Sequence, residues 1–164
     1  MTPTIIVYNE AAYTLDENRL HAAAAVVLSR QGAPPEVALS VVIADDDYVA
    51  GLNRRFRGVD SPTDVLSFPA DAPPVQEEGE PPYLGDLIIA YPYAAAQAAR
   101  EGHTLDDSLA LLVVHGTLHL LGFDHDTPEN RAAMWDAQAE ALRALGISPD
   151  IVPALEGNGH DHLE

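Results

Sequence analysis

The sequence predicts a single α+β domain, and three features carry that prediction. Four short runs rich in Val, Ile and Leu all fall before residue 91. The segments after Pro92 instead show helical spacing, with capping residues in front and glycines behind. A strand, a helix and a second strand fill Thr4–Ile43, the pattern of a parallel pair joined by a right-handed crossover. At 164 residues the chain can bury a sizeable core in one domain, placed at 1–146. Residues 147–164, with their Pro, Gly and acids, read as a flexible, frayed tail.

Thr4–Tyr8 is a β-branched run and reads as the first strand. Thr14 and Glu17 have the spacing of a capping box, so a helix is expected from Thr14 to about Arg30, with Gly32 as its stop. Val37–Ile43 is the second strand. Asp45 caps a short helix with Tyr48, Leu52 and Phe56 at helical spacing. Asp64–Phe68 and Leu84–Ala90 are the third and fourth strands. Between them, Pro69–Tyr83 holds five prolines, four acids and one glycine. Proline cannot join a ladder, so 69–83 is expected to be a mobile surface loop. Helices follow over about Pro92–Arg100, over Leu105–Leu121 behind a Thr104 cap, and from Pro128 behind Thr127, with Gly122 and Gly146 as stops.

Composition narrows the function. No apolar run approaches the 18 or more residues of a membrane span, and no basic-then-apolar leader opens the chain. A cytoplasmic, membrane-free protein is therefore expected. There is no cysteine, so disulfides, thiolate metal sites and cysteine nucleophiles are excluded, and any metal must be held by His, Asp or Glu. The formal charge of −18 opposes non-specific association with polyanions. Against that background all eight basic residues are arginine, and Arg54, Arg55 and Arg57 lie within four positions. The guanidinium fork suits bidentate phosphate contact, although a solvated helix end accounts for the same run.

The segment from His115 to Asp126 carries the chemistry. His115 and His119 are four apart on an expected helix, so their side chains point the same way with Cβ atoms roughly 5–6 Å apart. Two imidazoles so placed can reach one zinc ion. Gly122 lets the backbone reverse and return His125 as a third ligand. Three imidazoles leave a fourth position open for water, as catalytic zinc sites require. The spacing of His115, His119, Gly122 and His125 matches the extended zinc-protease pattern, but Gly116 stands where those proteases carry their general-base glutamate. A peptidase is disfavoured for that reason. Ligation requires neutral imidazole, whose unperturbed pKa is about 6.5, so metal is expected to leave below about pH 6.

The His115-Gly-Thr-Leu-His119-Leu-Leu-Gly122-Phe-Asp124-His125 segment resembles the signature of the YbeY family of metal-dependent endoribonucleases, also described as ribosomal RNA maturation factors. Leu52–Arg57, Ser61–Phe68 and Leu84–Ile89 resemble further blocks of that family, in order, and the likeness runs roughly from Thr4 to Leu145. It implies one mixed four-stranded sheet packed against several helices. It also implies a zinc-dependent ribonuclease acting on single-stranded RNA in small-subunit ribosomal RNA maturation and ribosome quality control. The partners implied are ribosomal RNA, the small ribosomal subunit and assembly proteins. Metal ligation carries over to His115, His119 and His125, and the family's functional arginine falls on Arg57. Arg57, His115 and His119 are then the expected catalytic residues.

Other residues are assigned more weakly. Asp64 and Asp86 are candidates to orient a ligand imidazole. Asp124, beside a helix C-terminus, needs a compensating partner, either the metal or His125. Asp126 suits the start of the last helix. His21 and His103 read as surface residues, and His160 and His162 as part of the tail. Two rival readings remain, a metallopeptidase and a non-catalytic ribosome-assembly factor with a structural zinc. The second requires a fourth protein ligand, for which Asp124 is the nearest candidate.

Overall fold

The computed structural model describes residues 3–34, 36–70 and 82–151. In chain order these form β1 (Thr4–Tyr8), α1 (Glu17–Arg30), β2 (Ala38–Ala44), α2 (Asp46–Arg57), β3 (Val65–Pro69), β4 (Tyr83–Ala90), α3 (Tyr91–Glu101), α4 (Leu105–Leu120) and α5 (Pro128–Ala144). The expected elements are all present, with ends displaced by a residue or so. One start moves further: α1 is capped by Asp16, whose carboxylate accepts the Asn18 N–H at 3.0 Å, and not by Thr14. A carboxylate complements the positive helix end better than a hydroxyl. Thr14 is also held outside the helix, because its carbonyl accepts the Tyr91 hydroxyl at 2.6 Å while the Tyr13 ring stacks on Tyr91.

The four strands form one mixed sheet in the order β1-β2-β4-β3. β1 and β2 are parallel, as the strand–helix–strand pattern predicts, and β4 joins parallel to the other side of β2. β3 pairs antiparallel with β4 and forms the far edge. Strand alternation then sorts side chains to two faces. Leu39, Val41, Ile43, Val65, Leu87 and Ile89 meet the helical core. α1 contributes Leu20, Ala23, Ala24, Val27 and Leu28, a buried stripe at helical spacing, and α4 and α5 add Leu109, Val113, Leu118, Met134 and Leu142. The opposite face carries a smaller cluster, with Val49 of α2 over Leu66, Ile88 and Ala90. Helices therefore cover parts of both faces.

Two boundary expectations change. Pro69 ends β3 and Tyr83 begins β4, and the Ala70 N–H donates to the Leu84 carbonyl at 2.9 Å, so the ends of the expected 69–83 loop belong to the sheet. Its interior, 71–81, lies outside the described residues. The tail does not fray at 147: Ile147 and Ile151 are 4% and 5% exposed and pack into the core, because Gly146 turns the chain back over α5. Residues 152–164, with His160 and His162, lie outside the described residues. Among the described residues no helix is long and apolar enough to cross a membrane.

Candidate metal centre

α4 delivers two histidines because its register is set at both ends. Thr104 Oγ1 accepts the Asp107 N–H at 3.1 Å, and Asp106 and Asp107 complement the helix dipole in the first turn. Asp107 is also tied to Arg19 of α1 at 2.6 Å. Every residue from Leu109 to Leu120 is buried. Such enclosure demands close approach to the sheet, and Gly116 permits it. A Cβ there would sit 2.6 Å from Leu87 Cδ2, inside a residue that is itself fully buried. The glutamate of the zinc-protease pattern therefore has no room at 116, and this glycine is a packing residue facing β4.

His115 and His119 follow on the same helix, 4% and 6% exposed. The chain then reverses at Gly122, whose φ of 102° lies in the region that favours glycine. The Gly122 N–H donates to the His119 carbonyl at 3.0 Å and the Phe123 N–H to the Leu118 carbonyl at 3.0 Å, closing the helix end. Asp124 Oδ1 accepts the His125 backbone N–H at 2.7 Å, which supplies the partner this carboxylate needs and fixes the backbone of the third histidine. His125 is 3% exposed, and its ring centroid lies 5.7 Å from that of His115 and 5.1 Å from that of His119.

One nitrogen from each of the three rings lies within 4.8 Å of the others. His115 Nε2 and His119 Nε2 are 3.2 Å apart. Two nitrogens bound to one tetrahedral zinc at 2.0–2.1 Å are separated by about 3.3 Å, so the pair has the spacing of a chelate. The three buried histidines are positioned to bind a metal ion, and they form the only such group among the described residues. Asp124 is outside it.

Two residues of the surrounding shell escape sequence reasoning. Gln138 of α5 is 2% exposed, and its Oε1 lies 3.0 Å from His115 Nδ1. An amide oxygen only accepts, so it selects the tautomer with hydrogen on Nδ1 and leaves Nε2 for a metal. Trp135, one turn earlier, sets its ring 5.9 Å from His115 and 6.0 Å from His125. A polar Gln138 on the stripe of Met134, Ala141 and Leu142 is the signal that points to it.

Arg57 ends α2 on a separate support. Its Nη1 lies 3.3 Å from Asn53 Oδ1, and Asn53, 2% exposed, donates through Nδ2 to the Ser61 carbonyl at 2.8 Å. Asp64 is buried, and its Oδ1 accepts the Val65 N–H at 2.8 Å. Asp86 does not orient an imidazole. It shares strand parity with Ile88, on the face away from Gly116 and α4, and it accepts the Tyr83 hydroxyl. Asp126 accepts from Asn130 Nδ2 at 2.8 Å at the start of α5, and mainly for that reason its carboxyl is held below the usual carboxylate range. His103 is partly exposed and lies 3.7 Å from Glu101, away from the cluster.

Fold and site together define a class: an α+β protein with three buried histidines, positioned to bind a metal ion, at the C-terminal end of a buried helix. The family described as endoribonuclease YbeY matches residues 6–146, and the chain belongs to it. The endoribonuclease YbeY of Chloroflexus aurantiacus is 42% identical over 151 residues, spanning 90% of this chain and 98% of that one. That of Desulforamulus reducens is 40% identical over 141 residues, spanning 82% and 92%. That of Rhodopseudomonas palustris is 50% identical over 112 residues, 68% of this chain and 58% of the longer relative. The solution structure of TM1509 from Thermotoga maritima superposes with a TM-score of 0.58 at 27% identity, covering 88% of this chain and 89% of that one.

Proposed function

We propose that the protein is a metal-dependent endoribonuclease, loaded with one zinc ion, that cuts single-stranded regions of small-subunit ribosomal RNA during ribosome maturation in the cytoplasm. The observation that carries this reading is the group of three buried histidines positioned to bind a metal ion, in a chain of the endoribonuclease YbeY family. The absence of room for a general-base glutamate at position 116 speaks against peptide hydrolysis.

When bound, a divalent ion at His115, His119 and His125 supplies Lewis acidity toward a phosphodiester. The chain supplies the rest. Gln138 holds His115 in the ligating tautomer, and Trp135 covers the flanks of His115 and His125 against water. Arg57, steadied through Asn53, binds phosphate oxygens and stabilises charge that develops on them. The test is cleavage of single-stranded RNA by purified protein after chelation and zinc reloading, beside His119→Ala and Arg57→Ala. Metal-dependent cleavage reduced at least about a hundredfold in both variants is expected. Equal cutting by all three preparations would mark a contaminant and leave the assembly-factor reading in its place.

A further inference from the structure

Phe56 is 58% exposed, the most exposed of the large hydrophobic side chains among the described residues. It stands on α2, a helix of markedly polar composition, directly before Arg57. Exposure alone is unremarkable for a single apolar residue, but this ring is held. Phe68 of β3, part-buried, meets it edge to face with centroids 5.3 Å apart, which fixes its orientation against the sheet. The Arg55 guanidinium lies 5.2 Å from its centroid. Arg54, Arg55 and Arg57 are three of only eight basic residues in a chain of charge −18. Arg54 is drawn off to Asp60 at 3.0 Å, whereas Arg55 stays exposed over the ring. A pre-oriented aromatic surface flanked by cations is the arrangement that takes a nucleobase by stacking and its phosphates by charge.

We propose that Phe56, braced by Phe68 and flanked by Arg55, is the platform on which an unpaired nucleobase of the RNA substrate stacks. The proposal rests on the ribonuclease reading and deepens it: the strand next to the phosphate on Arg57 is read as unpaired because only an unstacked base offers its face to the ring. A duplex keeps both base faces covered and is bound more weakly.

The experiment measures binding, not cleavage. Full-length zinc-loaded protein is titrated against short fluorescent 2′-O-methyl oligonucleotides, one with bases and one abasic, with gels confirming that both stay intact. Phe56→Ala should weaken binding of the base-bearing strand about tenfold and leave the abasic strand nearly unchanged. Phe56→Tyr should retain wild-type affinity, and the fluorescence of Phe56→Trp should be quenched by the base-bearing strand alone. Circular dichroism of each variant reports the fold, which an exposed ring should not disturb. Equal losses for both strands, or no loss in Phe56→Ala, would overturn stacking while leaving the RNA reading intact. Failure of the wild-type protein to bind either strand would overturn both.

Discussion

His115 meets two demands with one ring. Its Nε2 faces His119 at 3.2 Å, and its Nδ1 is claimed by Gln138 at 3.0 Å. Partners of this kind typically change metal affinity 10- to 100-fold when lost. Gln138→Leu keeps most of the side-chain volume but cannot accept the Nδ1 hydrogen. It should weaken zinc affinity by about tenfold or more, measured by competition with a chromophoric chelator. An unchanged affinity would show that packing alone orients the ring. The group of three histidines was legible because their spacing is local and glycine marks the reversal. Gln138 was not, because the contact joins residues 23 positions apart and depends on how α5 lies against α4.

Among the secondary-structure elements, β2 and β4 are joined by more than their ladder. The Tyr83 hydroxyl donates to Asp86, and the Ser40 hydroxyl of β2 lies 2.8 Å from the Tyr83 hydroxyl oxygen. Burial first, and then the bond to Asp86, push the Tyr83 pKa above its usual value. A raised pKa favours the protonated form in the folded state. The stabilisation is therefore complete below the unfolded value of about 10 and is lost as pH rises through the folded value. The melting temperature of wild type should exceed that of Tyr83→Phe at pH 8, with the gap closing by pH 11. A gap independent of pH would mean that the hydroxyl titrates alike in both states. Asp86, readable from the sequence only as a strand acid, thus anchors the Tyr83 hydroxyl that reaches Ser40 of β2. That assignment required the Ser40↔Asp86 register of the sheet.

For the molecule as a whole, charge sets the terms of RNA binding. A net −18 repels the substrate at long range, while the arginines of α2 attract it locally. Salt screens the distant repulsion before it weakens close contacts, since the Debye length falls to about 10 Å at 0.1 M. RNA association should therefore strengthen from about 10 mM to about 100 mM salt and weaken only beyond that. A strictly falling curve from low salt would show that the arginine patch already dominates the field. The fold also sets the three-histidine group apart from the crevice at the carboxyl ends of parallel strands, where ligands of open α/β sheets usually bind. Here that crevice is a cavity of about 430 Å³ at the ends of β1 and β2, lined by Tyr8, Tyr13, Tyr48, Glu10 and Asp45 and by no histidine or arginine.

The sequence by itself determined the α+β class, the parallel start of the sheet and the three histidines. Strand alternation, helix caps and an i, i+4 pair are written over a few neighbouring residues, and local stereochemistry enforces them. It misplaced the cap of α1, where the Tyr13–Tyr91 stack, 78 positions across the chain, holds Thr14 out of the helix. It also set the tail free at 147, where burial of Ile147 and Ile151 decides otherwise. Tertiary structure alone placed β4 between β2 and β3, set Gly116 against Leu87, turned Asp86 away from the three histidines and brought Gln138 and Trp135 to them. Each of these depends on which faces of distant elements meet, and that is settled by packing the whole core at once.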